Sequence, residues 1–101
     1  MRHRTNNNGV RVEICDLGAW TTRPLFAEYD RRASLVRVNA RMLDLVRDSL
    51  GADAADAFLR HAIAHELFHA RRPDASEAQA RETARAVSGV DAAVFEELLC
   101  R

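Results

Sequence analysis

The sequence predicts an α+β domain in which a small N-terminal antiparallel sheet precedes a helix, a long second helix and a C-terminal helix pair. Val10, Val12 and Ile14 alternate with Arg11 and Glu13, and Val36 and Val38 share one face of a later apolar run, which is the period of two expected of half-buried strands. From residue 40 onward the apolar positions recur instead at intervals of three and four, as in helices that bury one stripe. Gly51, Pro73 and Gly89 punctuate that second half where helices should end.

Taken in order, residues 1–9, with the run Asn6-Asn7-Asn8-Gly9, lack periodicity and predict a flexible lead-in, leaving residues 10–101 as a single domain. Val10–Ile14 is the first strand and Asp16–Pro24 a loop, whose Trp20 is expected to fold onto the core. Leu25–Asp30 and Ser34–Asn39 form a hairpin around Arg31-Arg32-Ala33, and an edge of this sheet is open to pairing with an extended peptide. Asn39 is placed to cap a helix that buries Met42, Leu43, Val46 and Leu50 and closes at Gly51. Asp53 is expected to cap the long helix, with Asp56 in its first turn, Arg71 and Arg72 in its last and Pro73 as its stop. Helices over Ser76–Ser88 and Ala92–Cys100 follow, the second capped by Asp91.

Composition narrows the function classes. The formal net charge is zero, which argues against nucleic acid or an anionic membrane as a direct partner. All fifteen basic residues are arginine. No run is apolar enough for a signal peptide or a membrane span, so a cytoplasmic location is expected. Cys15 and Cys100 lack metal-ligand spacing and are expected to be free thiols.

Chemistry concentrates in His65-Glu66-Leu67-Phe68-His69, the pattern His-Glu-x-x-His. On a helix, residues four apart lie one above the other, so His65 and His69 can aim imidazole nitrogens at one point. Zinc takes such nitrogens at about 2.0 to 2.1 Å and, in catalytic sites, adds a third protein ligand and a water. Glu66 flanks that point as a candidate general base. Ala62, Ile63, Ala64, Leu67 and Phe68 give the motif an apolar setting that a solvated helix face would not have. For the third ligand, Glu77 opens the next helix, and a chain doubling back at Pro73 brings that helix's first turn near His69. Glu82 and His61 are the alternatives. A glutamate at position 77 could equally serve the helix dipole or a capping box. For the developing oxyanion, Tyr29, His61 and Arg81 are the candidate donors.

The stretch Arg60–His69 resembles the active helix of the ImmA/IrrE-type metallopeptidases, small gluzincin-like proteins whose helix reads Arg-Phe-x-x-Ala-His-Glu-Leu-x-His. Ser76-Glu77-Ala78-Gln79-Ala80, with Ala84 and Gly89, is similar to the family's second motif, whose glutamate is the third zinc ligand. The resemblance spans roughly residues 25–100. It implies a minimal zincin-like fold, Zn2+ held by His65, His69 and Glu77, Glu66 as general base, and hydrolysis of peptide bonds in a protein or peptide substrate, as a zinc metalloendopeptidase. His61 stands where the family has phenylalanine, Thr83 lies near the usual aromatic of the second motif, and seven residues separate His69 from Glu77 where relatives have a longer connection. No helix-turn-helix segment accompanies the domain, so a DNA-linked regulatory role implies a partner protein. The alternative is a catalytically inactive zincin-like interaction or regulatory protein; intact Glu66 argues for the enzyme, because a structural zinc site has no use for a base.

Overall fold

The computed structural model describes residues 2–5, 10–18 and 26–100. Four strands, β1 (Arg2–Thr5), β2 (Arg11–Cys15), β3 (Ala27–Asp30) and β4 (Leu35–Asn39), precede four helices, α1 (Ala40–Leu50), α2 (Ala52–Arg71), α3 (Glu77–Ser88) and α4 (Ala92–Glu96), and a terminal 3-10 turn, Glu97–Cys100. The α+β class is therefore as the sequence predicts. Trp20 and Leu25 lie outside the described residues, as does the side chain of Cys100.

The sheet is mixed, which corrects the antiparallel arrangement expected. Its order is β1-β2-β4-β3, with β2 parallel to β4 and the other pairs antiparallel. After β2 the chain crosses to the far edge before entering β3, and the β3–β4 hairpin then turns β4 back beside β2, in the same direction. Alternation specifies which face is buried but not which strands are neighbours. Part of the expected lead-in also contributes: the backbone of Arg2–Thr5 pairs with β2 as an edge strand. Backbone pairing at an edge needs no apolar period, so the sequence carries no signal for it.

β4 is one of the two inner strands, and its Leu35, Val36, Val38 and Asn39 are buried. The β3–β4 turn is set by Asp30, whose carboxylate accepts from the Ala33 N–H at 3.2 Å and from Arg37 at 3.0 Å. Those bonds, the Ala33 N–H first, hold the Asp30 carboxyl below its ordinary pKa. Ser34 closes the turn at φ 48°.

Helix α1 starts where the sequence places it. The Asn39 carboxamide oxygen accepts from Arg41 N–H at 3.2 Å and from Leu17 N–H at 3.3 Å, while its amide donates to the Gly18 carbonyl at 3.4 Å. One buried side chain thus caps α1, ends β4 and ties down the loop after β2. Met42, Leu43 and Val46 pack fully buried beneath it, but Leu50, expected in the core, is 41% exposed. At Gly51, φ 99° lets the chain end α1 and start α2 at the same residue. The cap of α2 is therefore Gly51, not Asp53, which sits in the first turn against the helix dipole.

Phe26, Phe58 and Phe95 form an edge-to-face cluster with centroids 5.2 to 6.3 Å apart, joining the entry to β3, α2 and α4. Burying Phe58 alone contributes about 1.5–3 kcal/mol. This cluster anchors the first half of α2 and leaves its second half to meet α3.

Replacing Asn39 with alanine should cost about 2 kcal/mol, since a cap is lost and buried backbone groups lose their partner. Urea denaturation checks this; a loss under about 0.5 kcal/mol, the size of an ordinary surface change, would show that water replaces the carboxamide.

Candidate metal site

Two facing stripes build the site. On α2, His61, His65 and His69 lie one turn apart on the same face. On α3, Glu77, Ala80, Ala84 and Ser88 form the answering stripe, and Ala80 and Ala84 are fully buried. Small side chains there let the helices approach closely. The helices run in opposite directions, so Ser88 meets His61 at one end and Glu77 meets the two motif histidines at the other.

The connection between them is short and held by backbone and capping hydrogen bonds. The Arg72 N–H closes α2 on the Phe68 carbonyl at 2.8 Å, and the Ala75 N–H bonds the Arg72 carbonyl at 3.0 Å across Pro73 and Asp74. Ser76 then caps α3, its hydroxyl accepting from Gln79 N–H at 3.1 Å while the Gln79 side chain accepts from Ser76 N–H at 3.0 Å. Gln79, not Glu77, completes this capping box. Glu77 is left free to face the histidines.

The Glu77 carboxylate lies 2.6 Å from His69 Nε2 through one oxygen and 3.2 Å from His65 Nε2 through the other. The imidazole centroids are 4.9 Å apart, with rings inclined at 60°. One ligand atom from each of His65, His69 and Glu77 falls within 4.8 Å of the others. Two imidazole nitrogens and a carboxylate oxygen form a donor set that suits zinc, which accepts nitrogen and oxygen at similar distances. Burial lowers the His65 pKa and favours the neutral imidazole that a metal ligand must be.

The other sequence candidates for the third ligand are engaged elsewhere. Glu82 pairs with Arg85 on the exposed side of α3. His61 is 1% exposed, its Nδ1 3.1 Å from the Val90 carbonyl and 3.2 Å from the Ser88 hydroxyl. A carbonyl only accepts, so Nδ1 carries the proton. Burial lowers the pKa of this ring as well, and its Nε2 is a buried acceptor with no hydrogen-bond partner among the described residues. His61 packs edge-on against Phe95, at 5.7 Å between centroids, and so fills an aromatic position.

Glu66 stands beside the cluster, 4.0 Å from His65 Nε2 and only 18% exposed. Burial pushes its carboxyl up to about 7, with the Glu77 and Glu28 charges adding to the rise and His69 opposing it. A cavity of about 400 Å3 opens in front, walled by Phe26 and Ala27 from the β3 side and by Arg81, Ala92 and Glu96 from the helices. Arg81 is held by Glu96, at 2.9 and 3.4 Å, with Asp91 at 3.7 Å. Of the expected oxyanion donors, Arg81 lines this cavity, His61 spends its donor on Val90, and Tyr29 packs against the core. Sequence reasoning missed the Arg81–Glu96 pair, which joins separate helices and leaves no local signal. It also missed the Gln79 cap, although Ser-x-x-Gln is a readable signature.

Compared with known protein families, curated proteins and solved structures, the chain matches none.

The raised Glu66 pKa has a definite sign in the metal-free protein. Between about pH 4.5 and 7 the unfolded chain has released this proton while the folded chain still holds it, so the group makes stability fall as pH rises through that window, then level off. Glu66→Gln removes the effect. Its stability relative to the native chain should grow between those pH values by on the order of 3 kcal/mol and stay constant above. A pH-independent difference in chemical denaturation would mean that Glu66 ionises normally.

Proposed function

We propose that this chain is a zinc-dependent metallopeptidase with a minimal zincin-like fold, of the kind the ImmA/IrrE-type resemblance implies, and that it hydrolyses peptide bonds in a protein substrate. The observation that carries the reading is the convergence of His65, His69 and Glu77 with a half-buried carboxylic acid, Glu66, at their side.

His65 and His69 on α2 and Glu77 on α3 would hold the ion. Zinc bound there would supply a water acidified towards neutral pH and a Lewis acid for the carbonyl oxygen. The chain's own residues do the rest. Glu66 would take the proton of the attacking water and deliver it to the leaving amine, its half-buried carboxylate lying 4.0 Å from His65 Nε2, beside the point the ligands share. Arg81, fixed by Glu96, presents guanidinium N–H groups on the cavity wall, where negative charge on the carbonyl oxygen needs donors. The Phe26 and Ala27 wall puts the start of β3 at the cavity, and β3 is an edge of the sheet. An extended substrate pairing with that edge would run past the site. A flexible protein segment can adopt that extended form and follow the edge into the cavity.

No helix among the described residues is long and apolar enough to cross a membrane.

The test separates the base from the ion. Zinc-loaded Glu66→Gln should keep its metal and lose at least about a hundredfold in the rate of hydrolysis of an unfolded, fluorescently labelled protein. Cleavage at the native rate by that variant, or no cleavage by the native protein over a panel of unfolded substrates, would favour a non-hydrolytic interaction protein.

A further inference from the structure

Helix α2 has a second stripe that the metal site does not use. Arg60, Ile63, Ala64, Leu67, Phe68 and Arg71 recur at intervals of three and four on another face of the helix. With Thr83 and Val87 of α3 and Arg72 they enclose a groove of about 590 Å3. Its floor is apolar. Val87, a large aliphatic residue on its wall, is 56% exposed, so the groove is open to solvent along that side.

The rim is all of one sign. Arg60 stands at one end and Arg71 and Arg72 at the other, Arg60 and Arg71 being roughly 16 Å apart along the axis, and no acidic residue lines the groove between them. Asp56 pairs with Arg60, and Arg72 lies over the Phe68 ring, 5.9 Å from its centroid. Asp56 neutralises Arg60, so in a chain whose formal charge is zero the local excess of positive charge lies at the Arg71 and Arg72 end of the apolar trough.

We propose that this groove docks an acidic amphipathic helix of a partner protein, seating apolar side chains at positions i, i+3 or i+4 and i+7 on Ile63, Leu67, Phe68 and Val87, with flanking carboxylates on the arginines. Three features favour that occupant. The groove is about three helical turns long. Its excess charge, from Arg71 and Arg72 beside an apolar floor, calls for a partner that sets carboxylates next to an extended apolar face. Its open side would leave an alkyl chain wet, whereas a helix covers the apolar floor with its own polar back. The docking face and the metal-site face belong to the same helix, so a partner seated here bears on the backbone that carries His65 and His69.

Amide NMR spectra of the full chain test this, with a synthetic helix of about five turns bearing leucines at that spacing and glutamates on its flanks as the probe. The peptide should shift amides of residues 60–72 and 83–87, weaken as salt is raised, and lose about tenfold or more in affinity for Val87→Asp, whose exposed position leaves folding intact. The same peptide with lysine in place of glutamate should leave the spectrum unchanged. The proposal is overturned by equal binding of the lysine peptide, by shifts confined to other residues, or by no shifts at about 1 mM peptide. It is also overturned if laurate alone moves these amides, which would mark an amphiphile site, or if raising the protein concentration alone does so, which would mark a second copy.

Discussion

The close antiparallel packing of α3 on α2 is the contact on which the site depends. Ala80 and Ala84 are fully buried where the helices meet, and their lack of bulk sets how near Glu77 comes to His65 and His69. Larger side chains there would push the helices apart by more than a ligand set could absorb, because zinc tolerates its donors only within a few tenths of an ångström. The geometry of the His65, His69 and Glu77 cluster is thus a consequence of helix packing, and the His65-Glu66-Leu67-Phe68-His69 pattern supplies only half of it.

The connection between the helices completes that half. Seven residues suffice because Pro73 ends one helix, Ser76 begins the next, and the Ser76–Gln79 box absorbs the backbone donors that Glu77 would otherwise serve. The carboxylate at position 77 then has no capping duty, and its two oxygens divide between the two imidazoles. At the far end of the same stripe His61 donates towards Ser88 and Val90, fastening the end of α3 to α2. Its ring also packs edge-on against Phe95.

Local signals in the sequence were enough for the helices and for the three residues that converge at the site. The cap at Asn39, the breaks at Gly51 and Gly89 and the turn at Pro73 each follow from the chemistry of one residue, and the structure has them all. The convergence of His65, His69 and Glu77 followed from periodicity plus one reversal of direction. Non-local features were not legible. The parallel pairing of β2 with β4 depends on where a loop crosses, the strand at Arg2–Thr5 carries no apolar pattern, and the ion pair of Arg81 with Glu96 joins residues fifteen positions apart on different helices. Asp53 misled for a simpler reason: glycine at φ 99° starts the helix before the aspartate can cap it.

The central claim is that helix packing assembles a zinc site from His65, His69 and Glu77. It is tested most directly by the metal content of protein purified without a histidine tag and without added metal, beside the Glu77→Ala variant. The account predicts about one zinc per chain in the native protein, lost or much reduced in the variant, whose exposed side chain can be removed without disturbing the fold. No bound metal in the native protein after zinc is offered at neutral pH, or the same zinc content in both proteins, would contradict it.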